Sequence, residues 1–147
     1  MKLKHLTTSA LALILMSACT DDGATGVAPD DLAGTWTATA MVFTSVADPA
    51  TSADLVLEGA TLTLVLGADG SYSFIFVFPG EPTEDEAGVY EVSGTTLTLS
   101  ITGTGSPDAW EISRNGDTMT LTDSAEVFDF VDGVEEDATL VVTLVRL

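Results

Sequence analysis

Apolar and polar residues alternate along most of the chain, from Leu32 to Leu147, with a period of two. This period is typical of β-strands that bury one face, whereas an α-helix repeats about every 3.6 residues. Turn-forming residues separate the alternating stretches, and none of the stretches has the pattern of a helix. The pattern predicts an all-β domain, an antiparallel up-and-down meander of about eight or nine strands that closes into a small barrel, with a β-sandwich as the alternative.

The first half of the domain contains three predicted strands. The first has four residues on one face, which are Trp36, Ala38, Ala40 and Val42. The second covers residues 55–66 and changes phase at Glu58-Gly59, which predicts a bulge or a sharp bend there. The third covers residues 71–78 and has an aromatic row on one face, which consists of Tyr72, Phe74, Phe76 and Phe78.

Two tight turns are predicted in the second half, at Ser93-Gly94 and at Asn115-Gly116. The second is the strongest hairpin signal in the chain, because both of its residues accept the positive φ that a tight turn needs. The predicted strands around these turns cover residues 88–92, 95–101, 110–114, 119–121 and 140–146, with a short strand at Phe128 and Phe130.

The N-terminus has a different pattern. A basic start, made of Lys2, Lys4 and His5, is followed by an apolar stretch at residues 6–16. This stretch is too short to span a bilayer, which takes about 20 residues, but it matches the apolar part of a signal peptide. Two small residues then precede Cys19, which is the only cysteine of the chain.

This arrangement resembles the signal of bacterial lipoproteins, whose lipobox ends at a cysteine. The lipobox here is Met16-Ser17-Ala18-Cys19, with methionine in place of the usual leucine. The resemblance implies cleavage before Cys19, a diacylglycerol on its sulfur and a third acyl chain, such as palmitate, on the new amine. Two or more acyl chains hold a protein firmly at a membrane. An ordinary secretory signal is the alternative, and a lone cysteine at this position favours the lipoprotein.

Three regions follow from this interpretation. They are a signal peptide at residues 1–18, the lipid-bearing cysteine with a flexible, polar tether at residues 19–31, and a barrel domain at residues 32–147. The expected location is the bacterial cell envelope, after export, with the acyl chains in a membrane. Thr20, rather than aspartate, follows the cysteine. In enterobacterial lipoproteins this favours the outer membrane.

Residues 19–147 are strongly acidic. They contain all 23 acidic residues against two basic ones, Arg114 and Arg146, which gives a formal charge of −21. Such a charge repels nucleic acids and anionic lipid headgroups, so we expect no nucleic-acid partner. It also keeps a protein soluble and separate from its copies, so we expect a monomer. The acyl chains must therefore anchor the protein without a polybasic segment.

Few catalytic side chains are available after residue 18. No histidine or lysine occurs there, and Cys19 is the only cysteine. Ser–His and Cys–His nucleophile systems, zinc sites of histidine and cysteine, and Schiff-base chemistry are therefore excluded. The sequence has no glycine-rich phosphate loop, and nothing in it places a pair of carboxylates on the inner face of paired strands, as a glycosidase would need. We expect no enzymatic activity, no catalytic residue and no cofactor.

Two clusters of carboxylates lie between predicted strands. The first, in a predicted loop at residues 79–87, comprises Glu81, Glu84, Asp85 and Glu86. The second surrounds Gly133 and comprises Asp129, Asp132, Glu135, Glu136 and Asp137. Clustered carboxylates on a glycine-containing loop suit calcium, but neither cluster has the spacing of an EF-hand. Solvated turns are the preferred interpretation, with calcium binding as the alternative, and we assign no metal ligand.

The two ends of the barrel domain share a further pattern. A Gly-x-Trp sequence, Gly34 to Trp36, opens the first strand, and Arg146 lies on the apolar face of the last strand. This resembles the lipocalin (calycin) family, and residues 88–99 and 114–121 are similar to segments of lipocalin-like domains in bacterial lipoproteins. The resemblance implies a small lipocalin-like barrel with Trp36 packed beneath it and Arg146 across it, a cation–π contact of about 0.5–2 kcal/mol. These three residues are expected to be structural.

Two functions are compatible with these features. In the first, the lipocalin-like module binds a small apolar ligand inside the barrel, which the aromatic row at residues 72–78 and Trp110 favour. In the second, the barrel is filled by its own side chains, and the protein is a structural or protein-interaction component of the envelope. The domain is shorter than typical lipocalins and has no recognisable helix before its last strand, which argues against a large cavity.

Overall fold

The computed structural model describes residues 29–103, 107–131 and 134–147. The predicted signal peptide, Cys19 and most of the tether lie outside these residues. The described part has one helical turn, α1 (Pro29–Leu32), and no helix in it is long and apolar enough to cross a membrane. The strands are β1 (Gly34–Ser45), β2 (Ser52–Asp54), β3 (Thr61–Leu66), β4 (Ser71–Val77), β5 (Glu84–Ser93), β6 (Thr96–Ile101), β7 (Asp108–Asn115), β8 (Thr118–Val131) and β9 (Val134–Arg146).

The strands form a closed antiparallel barrel. From β3 to β9 each strand pairs with the next, and β1 joins β3 to β9, so eight strands close the barrel and β2 is an additional strand. One edge of β1 pairs with β9 along most of its length, and the other edge pairs first with β3 and then with β2. The predicted all-β meander and its closure into a barrel are confirmed, and the alternative sandwich does not form.

A bulge in β1 changes which residues face the interior. The register with β9 shifts between Ala38 and Ala40, so the alternation before the bulge is reversed after it. The prediction that Ala40 and Val42 share a face with Trp36 is therefore wrong. The residues of β1 that follow the bulge and face inward are Met41, Phe43 and Ser45.

A turn replaces the first part of the predicted strand at residues 55–66. The carboxylate of Asp54 accepts hydrogen bonds from the backbone N–H groups of Met41 and Val56, both at 3.0 Å. Such a side-chain contact two residues onward starts a turn instead of extending a strand. Gly59 then adopts a φ of 101°, and β3 begins only after it. The sharp bend expected at this glycine is present.

The hairpin of β8 and β9 is longer than the sequence predicted. The short strand expected at Phe128 and Phe130 is the outer part of β8, and β9 begins at Val134 instead of residue 140. The register shifts twice along the hairpin, between residues 123 and 126 and between residues 129 and 131. The described members of the second acidic cluster therefore lie on paired strands, which corrects the predicted turn, whereas Asp132 and Gly133 lie outside the described residues.

The tight hairpin turns place glycine in the first of two loop positions. Asn115 pairs with Thr118, so the loop consists of Gly116, with a φ of 61°, and Asp117. No non-glycine residue in the described ranges has a positive φ. This arrangement matches a type II′ turn, and the expectation of a positive φ at Asn115 is wrong.

Candidate functional site

One end of the barrel, which we call the floor, is packed solid. Trp36 is fully buried there, and its indole N–H donates to the carbonyl of Leu32 at 2.8 Å. This bond ties β1 to α1, which immediately precedes it in the chain. The other fully buried large side chains at this end are Leu32, Leu66, Leu97, Ile112, Met119 and Leu144. The floor therefore has no room for a ligand, because its side chains occupy the interior.

Two arginines lie against the floor tryptophan. The guanidinium carbon of Arg146 is 4.6 Å from the centroid of the Trp36 ring, and that of Arg114 is 6.0 Å from it. Arg146 also donates to the backbone carbonyl of Asp31, and the Arg114 guanidinium is 3.9 Å from the Asp31 carboxylate. Gly34 has a φ of 151° beside Arg146, a conformation that side-chain-bearing residues rarely adopt. The structure thus brings the three predicted signature residues together and adds Arg114, which the sequence reasoning had not assigned.

Above the floor the barrel encloses a cavity of about 370 Å³. Its walls are mainly apolar and aromatic, and it opens toward the end of the barrel opposite Trp36. The aromatic row of β4 lies on the inner face: Tyr72 is buried below, and Phe74 and Phe76 line the cavity. Other apolar side chains in the wall are Met41, Phe43, Leu62 and Trp110.

A second pocket adjoins the cavity at this open end. It holds about 420 Å³ and shares Leu55, Phe76 and Glu84 with the cavity wall. Phe78 and Phe128 also line this outer pocket, and the ring of Phe128 stacks on Phe43 at a centroid distance of 4.3 Å. The outer pocket therefore forms an aromatic entrance to the cavity.

Four carboxylates also line the cavity, and they come from three strands. Glu84 and Glu86 lie on β5, Asp108 on β7 and Glu126 on β8. This overturns two expectations, since Glu84 and Glu86 were placed in a solvated loop and no acids were expected on the inner face of paired strands. Glu84 pairs with Phe76 of β4 and Glu86 pairs with Phe74, so both carboxylates lie on the same face of the sheet as these aromatic rings. The sequence does contain a signal for this placement, which is the two-residue spacing that continues from Glu84 through Glu86 to Tyr90.

Two groups of the cavity wall, Glu126 and Tyr72, have perturbed acidity. Burial raises the pKa of Glu126, and the charges of Asp123 and Asp108 raise it further. The hydroxyl of Tyr72 donates to the Glu86 carboxylate, and burial followed by this partner raises the pKa of Tyr72 well above its usual range. The ionised form of Glu126 is therefore disfavoured, and Glu86 has the Tyr72 phenol as a hydrogen-bond donor.

Trp110 adds an unused donor to the same wall. Among the described residues, no hydrogen-bond partner lies within reach of its indole nitrogen, although this atom is shielded from solvent. A buried N–H without a partner costs roughly 1–3 kcal/mol. Because Trp110 lines the cavity, a polar atom of a bound molecule is one way to satisfy it.

The described residues contain no group of three or more His, Cys, Asp or Glu side chains placed to hold a metal ion. The cavity carboxylates are thus spread around the wall and do not converge on one point. Comparison of the chain with protein-family models and with curated proteins found no match in either.

Proposed function

We propose that this domain binds a small, largely apolar molecule in the barrel cavity. The observation that carries the proposal is the open cavity of about 370 Å³ with apolar and aromatic walls. Small-molecule sites typically have volumes of about 300–1,000 Å³ and this kind of lining. Eight-stranded barrels are often filled by their own side chains, so an open interior favours the binding role over the alternative of a filled structural barrel.

The proposed role is binding without catalysis or a cofactor. The chain has no histidine, lysine or cysteine after residue 19, so Ser–His, Cys–His and Schiff-base systems cannot be assembled there. The inward carboxylates face apolar walls, which suits recognition of a ligand. The grouping of Gly34, Trp36 and Arg146 at the floor supports the proposed relationship to lipocalins.

Filling the cavity should abolish ligand binding. Leu62 lies half-buried on the inner face of β3, and Leu62→Trp would place an indole in the cavity, whereas Thr61→Trp on the same strand adds it outside. We expect the wild-type protein and Thr61→Trp to bind the neutral apolar dye Nile red saturably, with one site per chain. Fluorescence titration of Leu62→Trp should show no saturable site. Absence of saturable binding to the wild type would reject the proposed function.

We also propose that the protein is exported and held at a bacterial envelope membrane, with the outer membrane favoured, through acyl chains on Cys19. The lipobox-like sequence that ends at this single cysteine supports the proposal. Residues 19–147 have no basic cluster that could bind anionic lipid headgroups in place of the acyl chains, since Arg114 and Arg146 are their only basic residues.

Cys19→Ser should release the protein from the membrane. Without a thiol at residue 19, no thioether-linked diacylglycerol can form, and its two acyl chains are lost. A single acyl chain would hold the protein only weakly. The measurement is the distribution between membrane and soluble fractions after washing at high salt, with Ser17→Ala as the matched control. Membrane retention of Cys19→Ser equal to that of the control would contradict lipid anchoring at this residue.

A further inference from the structure

The cavity and its charged wall point to a ligand class. We infer that the ligand is a cationic amphiphile, a small molecule with an apolar body and an amine or ammonium headgroup. This inference rests on the proposed function and deepens it, because it adds the charge of the molecule that the cavity holds.

The charge of the cavity wall is of one sign. Glu84, Glu86, Asp108 and Glu126 all line the cavity, and no basic side chain of the described residues does. The only arginines of the chain lie at the floor, where both are engaged with Trp36 and Asp31. Among the described residues, the inward carboxylates therefore have no cationic side chain as a partner. Glu84 and Asp108 are exposed and Glu86 and Glu126 are half-buried, so a ligand cation would meet charge of the opposite sign both at the opening and inside the cavity.

The cavity is apolar below the carboxylates. Phe74, Phe76 and Trp110 form walls that suit an aliphatic or aromatic body. Aromatic faces also attract cations, by about 0.5–2 kcal/mol each according to desolvation. A hydrated metal ion would leave these surfaces unused, and the carboxylates in the described residues do not converge on a metal site. An anionic amphiphile, such as a fatty acid, would meet only like charges.

The approach to the cavity is acidic as well. The outer pocket is lined by Glu58, Glu81 and Asp129 in addition to Glu84, which it shares with the cavity, and the part of the chain that the structure describes contributes no basic residue to it. A passage lined by one sign of charge between low-dielectric walls concentrates ions of the opposite sign. The entrance therefore favours cations before they reach the carboxylates inside.

The test compares three probes with the same ten-carbon chain and different headgroups: decylammonium, decan-1-ol and decanoate. Each is used to displace Nile red at low ionic strength from the full-length chain carrying Cys19→Ser, so that no acyl chain competes for the site. We expect decylammonium to displace the dye at a concentration about tenfold lower than decan-1-ol, which corresponds to about 1.4 kcal/mol. Decanoate should be the weakest competitor, and added salt should reduce the preference.

Matched double variants separate the cavity from the overall acidity of the protein. Glu86→Gln/Glu126→Gln removes two charges from the cavity wall and should abolish the preference for decylammonium. Glu91→Gln/Glu111→Gln removes two charges from exposed, outward positions on β5 and β7 and should retain it. Each substitution keeps the size of the side chain and one acceptor oxygen, so we expect the fold to be preserved.

The outcomes distinguish the two levels of the proposal. Saturable Nile red binding with equal competition by decylammonium and decan-1-ol would overturn the cationic ligand and leave the binding function standing. A preference that survives in Glu86→Gln/Glu126→Gln would also overturn it, because the attraction would then come from the surface. Absence of any saturable dye binding would reject the binding function and the inference together.

Discussion

Replacing Trp36 with alanine is expected to reduce the free energy of unfolding by about 3–5 kcal/mol, as for other fully buried aromatic residues. The substitution removes the largest side chain of the floor, which is completely buried. It also leaves the carbonyl of Leu32 without its indole donor, and both arginines without the ring they lie against. Urea denaturation followed by circular dichroism measures the change.

Trp110→Ala is the matched control for this prediction. Trp110 is only half-buried at the cavity wall, and its indole nitrogen has no partner among the described residues. Its removal extends an existing space and breaks no hydrogen bond, so we expect a clearly smaller loss of stability. If the free energy of unfolding of Trp36→Ala were within about 1 kcal/mol of the wild-type value, this would contradict the role of Trp36 in filling the floor of the barrel.

Gly88→Ala should destabilise the barrel by more than about 3 kcal/mol, at or above the usual range for overpacking. A Cβ atom at this position would lie 2.0 Å from the backbone oxygen of Ser100 and 2.7 Å from the ring of Tyr72. The first contact is with backbone, so no rotation of a side chain relieves it, and β5 would have to separate from β6. Thermal and urea unfolding of the purified protein test the prediction.

Val89→Ala provides the control on the same strand. Val89 is 55% exposed and points outward, so its truncation should change stability by no more than about 0.5 kcal/mol. If Gly88→Ala and Val89→Ala have the same unfolding midpoint, the close approach of β5 and β6 at Gly88 is not a feature of the protein in solution.

The barrel itself was predictable from the sequence because its main determinant is local. A period of two indicates strands with one buried face, and short turns between them indicate neighbours that pair in order. Closure follows because an open meander leaves two unpaired edges. The inward aromatic row of β4 was visible for the same reason, since Tyr72, Phe74 and Phe76 alternate without interruption.

The errors arise where the alternation depends on distant strands. The bulge after Ala38 is set by the pairing of β1 with β9, and residues 40–43 are apolar on both faces, so the sequence does not show the change of phase. Likewise, the long hairpin of β8 and β9 contains two register shifts that no local signal marks.

The candidate site was missed for a related reason. Glu84 and Glu86 belong to a dense acidic run that is typical of a loop. The prediction of a loop followed from this composition, although the two residues also have the two-residue spacing of a strand face. Inward carboxylates also violate the usual pattern of a buried face, and such violations are expected where a protein binds something. Arg114 follows Trp110 and Ile112 at the same spacing, but its approach to Trp36 depends on closure of the barrel.

The contacts of Asp31 with both arginines fix where the polypeptide enters the barrel. The N-terminal segment joins at the sealed base, whereas Glu84 and its neighbours surround the opposite rim. With lipid on Cys19, as proposed, the predicted tether would attach at the sealed base, and the opening lies at the end of the barrel away from this attachment. Attachment at the base would then leave the entrance of the cavity unobstructed by the tether.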